Sequence, residues 1–573
     1  MPVNNSITHN RINPAVVPAL LLTLTIVGGI LVPLILPIPQ LQNLLARLAP
    51  LTLHLCTLFL IAGLYLESNS LVQYARDLPR RTKLAIGTIL LTGLSMVVFA
   101  APRLNRIMYD EHIYQNIAQA ITYLGKAWFV IDGKAEFGNY TVSQFHFNKQ
   151  PAGFPYYLSL IFQLAGVQEW AAHLANNIAY AAGVLAVFAL GILLFESTTA
   201  ALFSSLYFAF TPEIVLWSNT AAAEPATATF GALAVLGAVS YKAKPCAGRL
   251  LIFIALTSLS FYFRPESLLL IAPISLVFFI NDGHKLKVKE ILWPVVLVLV
   301  LSLAELWHLF CVRNDPWGSS GERFSLELAW QNLRVNGSFY FNNEWFPALF
   351  TCLGVAGCLF GRGSNLRHIL PVWFVLLWGV FLFFYAGSYK YGADVRYSLV
   401  SAAPLALMAG QGAVWTGERF DRLFGLARGK VFVLIISLWA AVTFLPLIRS
   451  EGEEGIWSRL DIRHSREFVD LIPTNSLVLT HNPSAWLIWG KNAAQTHLAT
   501  TNSDRVHAAF ANYHGGVYFH WNYWCNLPIP EQIEFCQNIL KRYDYTLLAE
   551  KTESNYRFAL YRIFPKQPSA NAK

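Results

Sequence analysis

Charge is scarce in this chain. Only 13% of its 573 residues are Asp, Glu, Lys or Arg, against 55% hydrophobic, and mean hydropathy is +0.44. A soluble domain averages about 25% charged residues, so a polytopic membrane protein is implied. The motifs of cytosolic nucleotide and hydrolase chemistry are missing: no Walker loop, no GxGxxG between a strand and a helix, no GxSxG. The seven cysteines form no CxxC and no zinc spacing. His481, His507, His514 and His520 are scattered and read as surface or packing residues. There is no internal repeat and no low-complexity segment. The first apolar run, 15–37, exceeds the ~7–15-residue core of a cleavable signal and has no small-residue cleavage pattern after it, so it is expected to remain as a span.

The net charge of +9 is not a nucleic-acid footprint, because the basic residues sit in short loops between apolar runs. The clusters are Arg76, Arg80, Arg81, Lys83; Lys242, Lys244, Arg249; Lys285, Lys287, Lys289; Arg362, Arg367; and Arg419, Arg422, Arg428, Lys430. With the N-terminus in the cytoplasm all five face inward, as the positive-inside rule requires. At roughly 20 apolar residues per span, the shorter runs included, the expected fold is an α-helical polytopic membrane protein of about 13 transmembrane helices with a small C-terminal extracytoplasmic α/β domain. Residues 1–83 supply two leading helices and a basic loop. Residues 84–449 form the core with an outer loop at 102–170, and 450–573 form the outer domain. That last domain is expected to hold helices at 463–471 and 531–541, a strand at 476–480, and paired strands at 545–549 and 556–563. A second outward segment, 312–344, is rich in Asn, Gly and Ser and reads as a mobile loop. Cys525 and Cys536 fall in the outer domain, where a disulfide is allowed.

The candidate chemistry lies on the outward side. Asp110 and Glu111 open a helix-like stretch just past the span at 84–101; they read as a helix-terminal charge pair, or as a general base or metal ligand at the membrane surface. Asp110 is the expected acting carboxylate. Lys149 stands beside a Pro-Gly-Pro turn and suits a phosphate as a point charge. Glu224, at the outer end of a span, reads as a helix-terminal acid or a second active-site carboxylate. Residues 250–280 are too few for two full spans and imply a short hairpin, broken at Arg264-Pro265-Glu266. A charge so deep in a bilayer is a functional candidate, with Glu266 as its local partner. Arg396 either pairs with Asp394 or binds phosphate in bidentate fashion.

In order, Asp110-Glu111-His112-Ile113-Tyr114, Phe147-Asn148-Lys149-Gln150-Pro151, Glu224 in its Ala-rich setting, Phe263-Arg264-Pro265-Glu266 and Arg396-Tyr397 resemble the C-type glycosyltransferases. The resemblance is to the branch of the lipid A aminoarabinose transferases and protein O-mannosyltransferases. It implies a polyprenyl-phosphate sugar donor, an acceptor lipid, glycan or protein, and single-displacement inversion outside the cytoplasm. Asp110 would then be the catalytic carboxylate, with Lys149, Arg264 and Arg396 on the lipid phosphate; Glu111 and Glu224 stand beside it as further catalytic candidates read from their own positions. Where aminoarabinose transferases carry a metal-binding Glu before the lysine, this chain has Asn148. No cofactor is required in principle, and use of a divalent metal stays open. A lipid or solute transporter, or a non-catalytic assembly protein on the same scaffold, are the other classes the sequence allows.

Overall fold

The computed structural model describes residues 16–566 except 281–286, 316–318, 320, 391, 426 and 502. Ala15 at the head of the first expected span and Lys285 among the loop cations therefore lie outside the described residues.

The molecule is mostly helical, and it is an integral membrane protein. Seven helices among the described residues are long and apolar enough to cross a bilayer by length and composition, and four more apolar helices are shorter. One departs from the expected pattern. Ile38–Asp77 is a single helix of 40 residues, about 60 Å long at 1.5 Å per residue, twice the hydrocarbon thickness. It is the second of the two leading helices expected within residues 1–83. The break at Arg264 is as the proline requires: helix Ala247–Phe261 stops, and the chain resumes as a 3-10 turn at Pro265–Leu270 and a helix at Ile271–Phe279.

The 312–344 segment is not simply a loop. It contains helix Leu326–Phe339, capped by the Ser325 side chain accepting from Leu328 N. Its asparagines are buried fasteners. Asn332 Nδ2 donates to the carbonyls of Phe381, Leu382 and Phe384, and Asn336 Nδ2 donates to Gly387 O at 2.8 Å while its Oδ1 accepts from Tyr389 N. Residues 316–318 and 320 of this segment lie outside the described residues.

Among the described residues seven strands form one sheet: β1 (Phe129–Lys134), β2 (Thr141–His146), β3 (Ser476–Thr480), β4 (Ala493–Gln495), β5 (Gly516–Trp521), β6 (Asp544–Glu553) and β7 (Tyr556–Phe564). Their order is β2-β1-β4-β3-β5-β7-β6. The expected tail strands are present as β3, β6 and β7, the last two as an antiparallel pair. The join was not foreseen: β1, from the 102–170 loop, pairs antiparallel with β4, Asp132 opposite Ala494. The 102–170 segment and the tail thus share one sheet. Arg505 reinforces the seam by pairing with the buried Asp132 at 2.7 Å. Residues Cys525 and Cys536 are disulfide-bonded, tying the turn at Tyr523–Asn526 to helix Pro530–Arg542. Closing so short a loop is worth about 3 kcal/mol in the chain-entropy picture. Cys525→Ser should lower the stability of the sheet by about that amount, read by thermal unfolding in lipid; an unchanged midpoint would mean the bond adds nothing.

Candidate active site

Asp110 is the first residue of helix Asp110–Leu124, and the residue before it, Tyr109, holds a φ of 70°. A left-handed backbone costs a bulky residue energy and persists only where neighbours over-determine it. Here the Tyr109 hydroxyl accepts from Asn522 of the tail at 2.9 Å. The tail therefore braces the turn that presents Asp110. The helix is also pinned through His112, whose ring nitrogens meet Asn105, Glu169 and Asn482.

The two adjacent acids part company. Glu111 is fully buried. One of its oxygens accepts from Arg106 N at 2.6 Å and Ile107 N at 3.0 Å, and the other from Ala221 N at 2.6 Å. With both oxygens taken up by amides, it clamps the Asp110 loop to the turn that leads into the Glu224 helix, Ala223–Ala243. Burial raises its carboxyl to about 8, against the pull of those three amides. This arrangement is that of a positioning residue and not of a group facing substrate. Asp110 is only partly buried, and among the described residues no hydrogen bond or ion pair engages its carboxylate. Burial raises its pKa, Arg396, Lys149 and Arg264 draw it back, and Glu224 adds to the rise. Four of the six expected site residues thus lie within electrostatic reach of Asp110.

At the centre of that set is Glu224. Its Oε1 accepts from Arg264 Nη1 at 2.6 Å and from Arg396 Nε at 2.8 Å. The helix N-terminus and both guanidinium groups stabilise this buried carboxylate. Arg264 also pairs with Glu266, and Arg396 with Asp394 at 3.1 Å, so the local partners read from the sequence are present alongside the shared one. Tyr397 completes the group: its hydroxyl accepts from Arg396 Nη2 at 3.0 Å, and its ring lies under both arginines at 4.5 and 5.2 Å. The sequence reading missed Tyr397 as a partner, although its place next to Arg396 was the available signal.

Arg264 lines a cavity of about 310 Å³ whose other walls are mainly Leu268, Leu269, Leu309, Val380, Phe381 and Phe384. Arg313 and Arg323 join it there. Among the described residues nothing accepts from Arg264 Nη2. A second apolar cavity of about 240 Å³ shares Leu268 with the first and runs between helices Ala247–Phe261, Ile271–Phe279 and Val288–Cys311. An arginine mouth on an apolar groove suits a lipid with a phosphate head.

Lys149 follows Asn148, whose Nδ2 donates to Gln150 O at 2.9 Å, and the nearby His308 Nε2 donates to Lys149 O at 3.1 Å. Among the described residues no three His, Cys, Asp or Glu are placed to hold a metal. Asn148 and His308 line one small cavity together with the buried carboxyl of Glu305.

A family model described as dolichyl-phosphate-mannose-protein mannosyltransferase matches residues 149–308, the stretch holding Lys149, Glu224 and Arg264. No curated protein matches the chain in sequence. Among solved structures, ArnT from Cupriavidus metallidurans in the apo state is similar at 13% identity, with 83% of this chain and 97% of that chain covered and a TM-score of 0.52. The same protein bound to undecaprenyl phosphate gives 13% identity, the same coverage and 0.51. AglB from Archaeoglobus fulgidus, in complex with an inhibitory peptide and a dolichol-phosphate, gives 11%, coverage of 86% and 75%, and 0.45. Identities this low speak to architecture, and the architecture is plain over nearly the whole of ArnT: this chain has the fold of the C-type integral-membrane glycosyltransferases.

Proposed function

We propose that this protein is a glycosyltransferase that moves a sugar from a polyprenyl-phosphate donor to an acceptor hydroxyl on the extracytoplasmic face of its membrane. The observation that carries the reading is the pair of arginines sharing one buried glutamate at the head of an apolar groove, with a partly buried, uncommitted aspartate beside them.

The donor's isoprenoid tail lies in the groove and its phosphate meets Arg264, Arg396 and Lys149. Glu224, Glu266 and Asp394 hold the two guanidinium groups before the donor arrives, so little reorganisation remains at the moment of reaction. The acceptor oxygen attacks the anomeric carbon from the face opposite the phosphate. The C–O bond to the phosphate breaks, its electron pair leaves with the polyprenyl phosphate, and the fixed cations take up the developing charge. Asp110 receives the acceptor's proton. One displacement inverts the anomeric centre. Glu111 acts through position, holding the Asp110 turn against the Glu224 helix. No metal takes part in this scheme.

Purified protein in lipid should release polyprenyl phosphate from at least one member of a radiolabelled polyprenyl-phosphate sugar panel, given an acceptor mixture of glycolipid, glycan and peptide. Turnover should be unchanged by chelator. Loss of turnover on chelation, restored by one divalent ion, would overturn the metal-free scheme. Counterflow of the labelled donor across vesicles, with no bond broken, would overturn the transferase reading in favour of transport.

A further inference from the structure

A further cavity lies on the tail side of the Asp110 turn. It measures about 610 Å³ and shares no lining residue with the lipid groove. Met108, two residues before Asp110, lines it, and so does Val395, the residue before Arg396. Its wall thus comes within two residues of Asp110 and one residue of Arg396 along the chain. Three tryptophans, Trp217, Trp345 and Trp457, and Tyr523 supply its flat walls.

These walls are held in place. Trp217 is buried, and its Nε1 donates to Glu213 Oε2 at 2.9 Å. Trp457 is braced edge-on by Tyr523 at 5.1 Å and Tyr556 at 4.6 Å. The Arg106 guanidinium, another lining group, donates to the carbonyls of Glu451 at 2.7 Å and Ser450 at 2.5 Å. Lys390 stands exposed at the rim. Rigid aromatic faces with charged groups between them match a sugar ring, which offers a C–H face to stack and a hydroxyl rim to hydrogen-bond. Strand addition of a peptide would need an open strand edge, and none of the lining residues belongs to a strand.

Resting on the glycosyltransferase reading, we infer that this cavity is the acceptor subsite and that the acceptor it takes is a carbohydrate, the sugar head of a glycan or glycolipid. Trp457 and Trp345 bind one ring and set which hydroxyl faces Asp110. Because Trp457 and Tyr523 come from the tail, the outer domain contributes directly to acceptor choice.

The test is saturation-transfer NMR on the full chain in nanodiscs, with the methyl glycosides of glucose, mannose, galactose and N-acetylglucosamine as probes beside a Ser/Thr-containing hexapeptide. At least one glycoside should bind. Trp457→Ala and Trp345→Ala should each weaken it about tenfold or more, as truncation of a buried aromatic anchor does, while Trp457→Phe largely restores it. Binding of undecaprenyl phosphate, read in the same samples, should not move. Peptide binding that depends on Trp457, absence of binding by every glycoside, or glycoside binding indifferent to both tryptophans would overturn the inference. None of these outcomes bears on the lipid groove. The transferase reading itself fails separately, if wild-type protein turns over no donor.

Discussion

Asp110→Asn is expected to reduce donor turnover by roughly 10²–10⁴-fold, the usual contribution of a positioned general base, while the protein still folds and still binds polyprenyl phosphate. Asparagine keeps the side chain's size and loses its capacity to take a proton. Because no hydrogen bond within the described residues engages the Asp110 carboxylate, the substitution strands no partner. The pH profile supplies a second reading. The base works ionised, so the rate falls as pH drops through its pKa. Burial places that pKa above the ordinary aspartate value, and the acid limb should lie above the usual ~3.9. The limb should vanish in the residual activity of the Asn variant. Near-normal turnover by Asp110→Asn would reduce the residue to the helix-terminal charge that the sequence alone also allows.

Glu224→Ala should be the most damaging single change to stability. It removes the one carboxylate oxygen that accepts from both Arg264 and Arg396. Breaking a buried ion pair from one side costs about 3–5 kcal/mol, because the opposite charge stays buried without compensation. The loss should appear as a lower thermal midpoint in lipid together with weaker binding of undecaprenyl phosphate, since the two guanidinium groups lose their common anchor. The double variant Glu224→Ala, Arg264→Met separates these effects. It should recover part of the stability, one stranded cation having gone, and none of the binding. A Glu224→Ala protein as stable as wild type would show that Glu266 and Asp394 hold the arginines unaided.

What could be read from the sequence was local. The helix after Asp110 follows from spacing, and the Arg264 break from its proline. The partnerships Arg264–Glu266 and Arg396–Asp394 lie two residues apart and were visible for that reason. The division of labour between Asp110 and Glu111 was not, because it is decided by Ala221 N, an amide far along the chain that side-chain identity does not announce. Glu224 was named as an acid and not as the keystone of two arginines, since its partners come from separate segments. Asn332 and Asn336 suggested a loop by composition, yet their spacing puts both on one helix face, where buried backbone groups of 381–389 take up their amides. Strands β1 and β2 pair locally as a hairpin and were not read from the sequence, and the seating of β1 on β4 depends on a distant part of the chain.

That distant pairing has a bearing on how the protein is made. Asp132 and Ala494 meet across about 360 residues, and such long-range contacts are slow to form because loop closure comes before any reward. During synthesis, the segment carrying β1 and β2 is completed while most of the spans are still to be threaded into the bilayer. It must wait with an open edge until β4 and β3 follow. Asn522, which braces Tyr109, comes later still. That brace on the Asp110 turn is therefore among the last contacts to form, and a chain clipped before Asn522 should keep the Glu111 clamp and lose the brace. Synthesis of the tail as far as Asn522 comes before the full bracing of that turn.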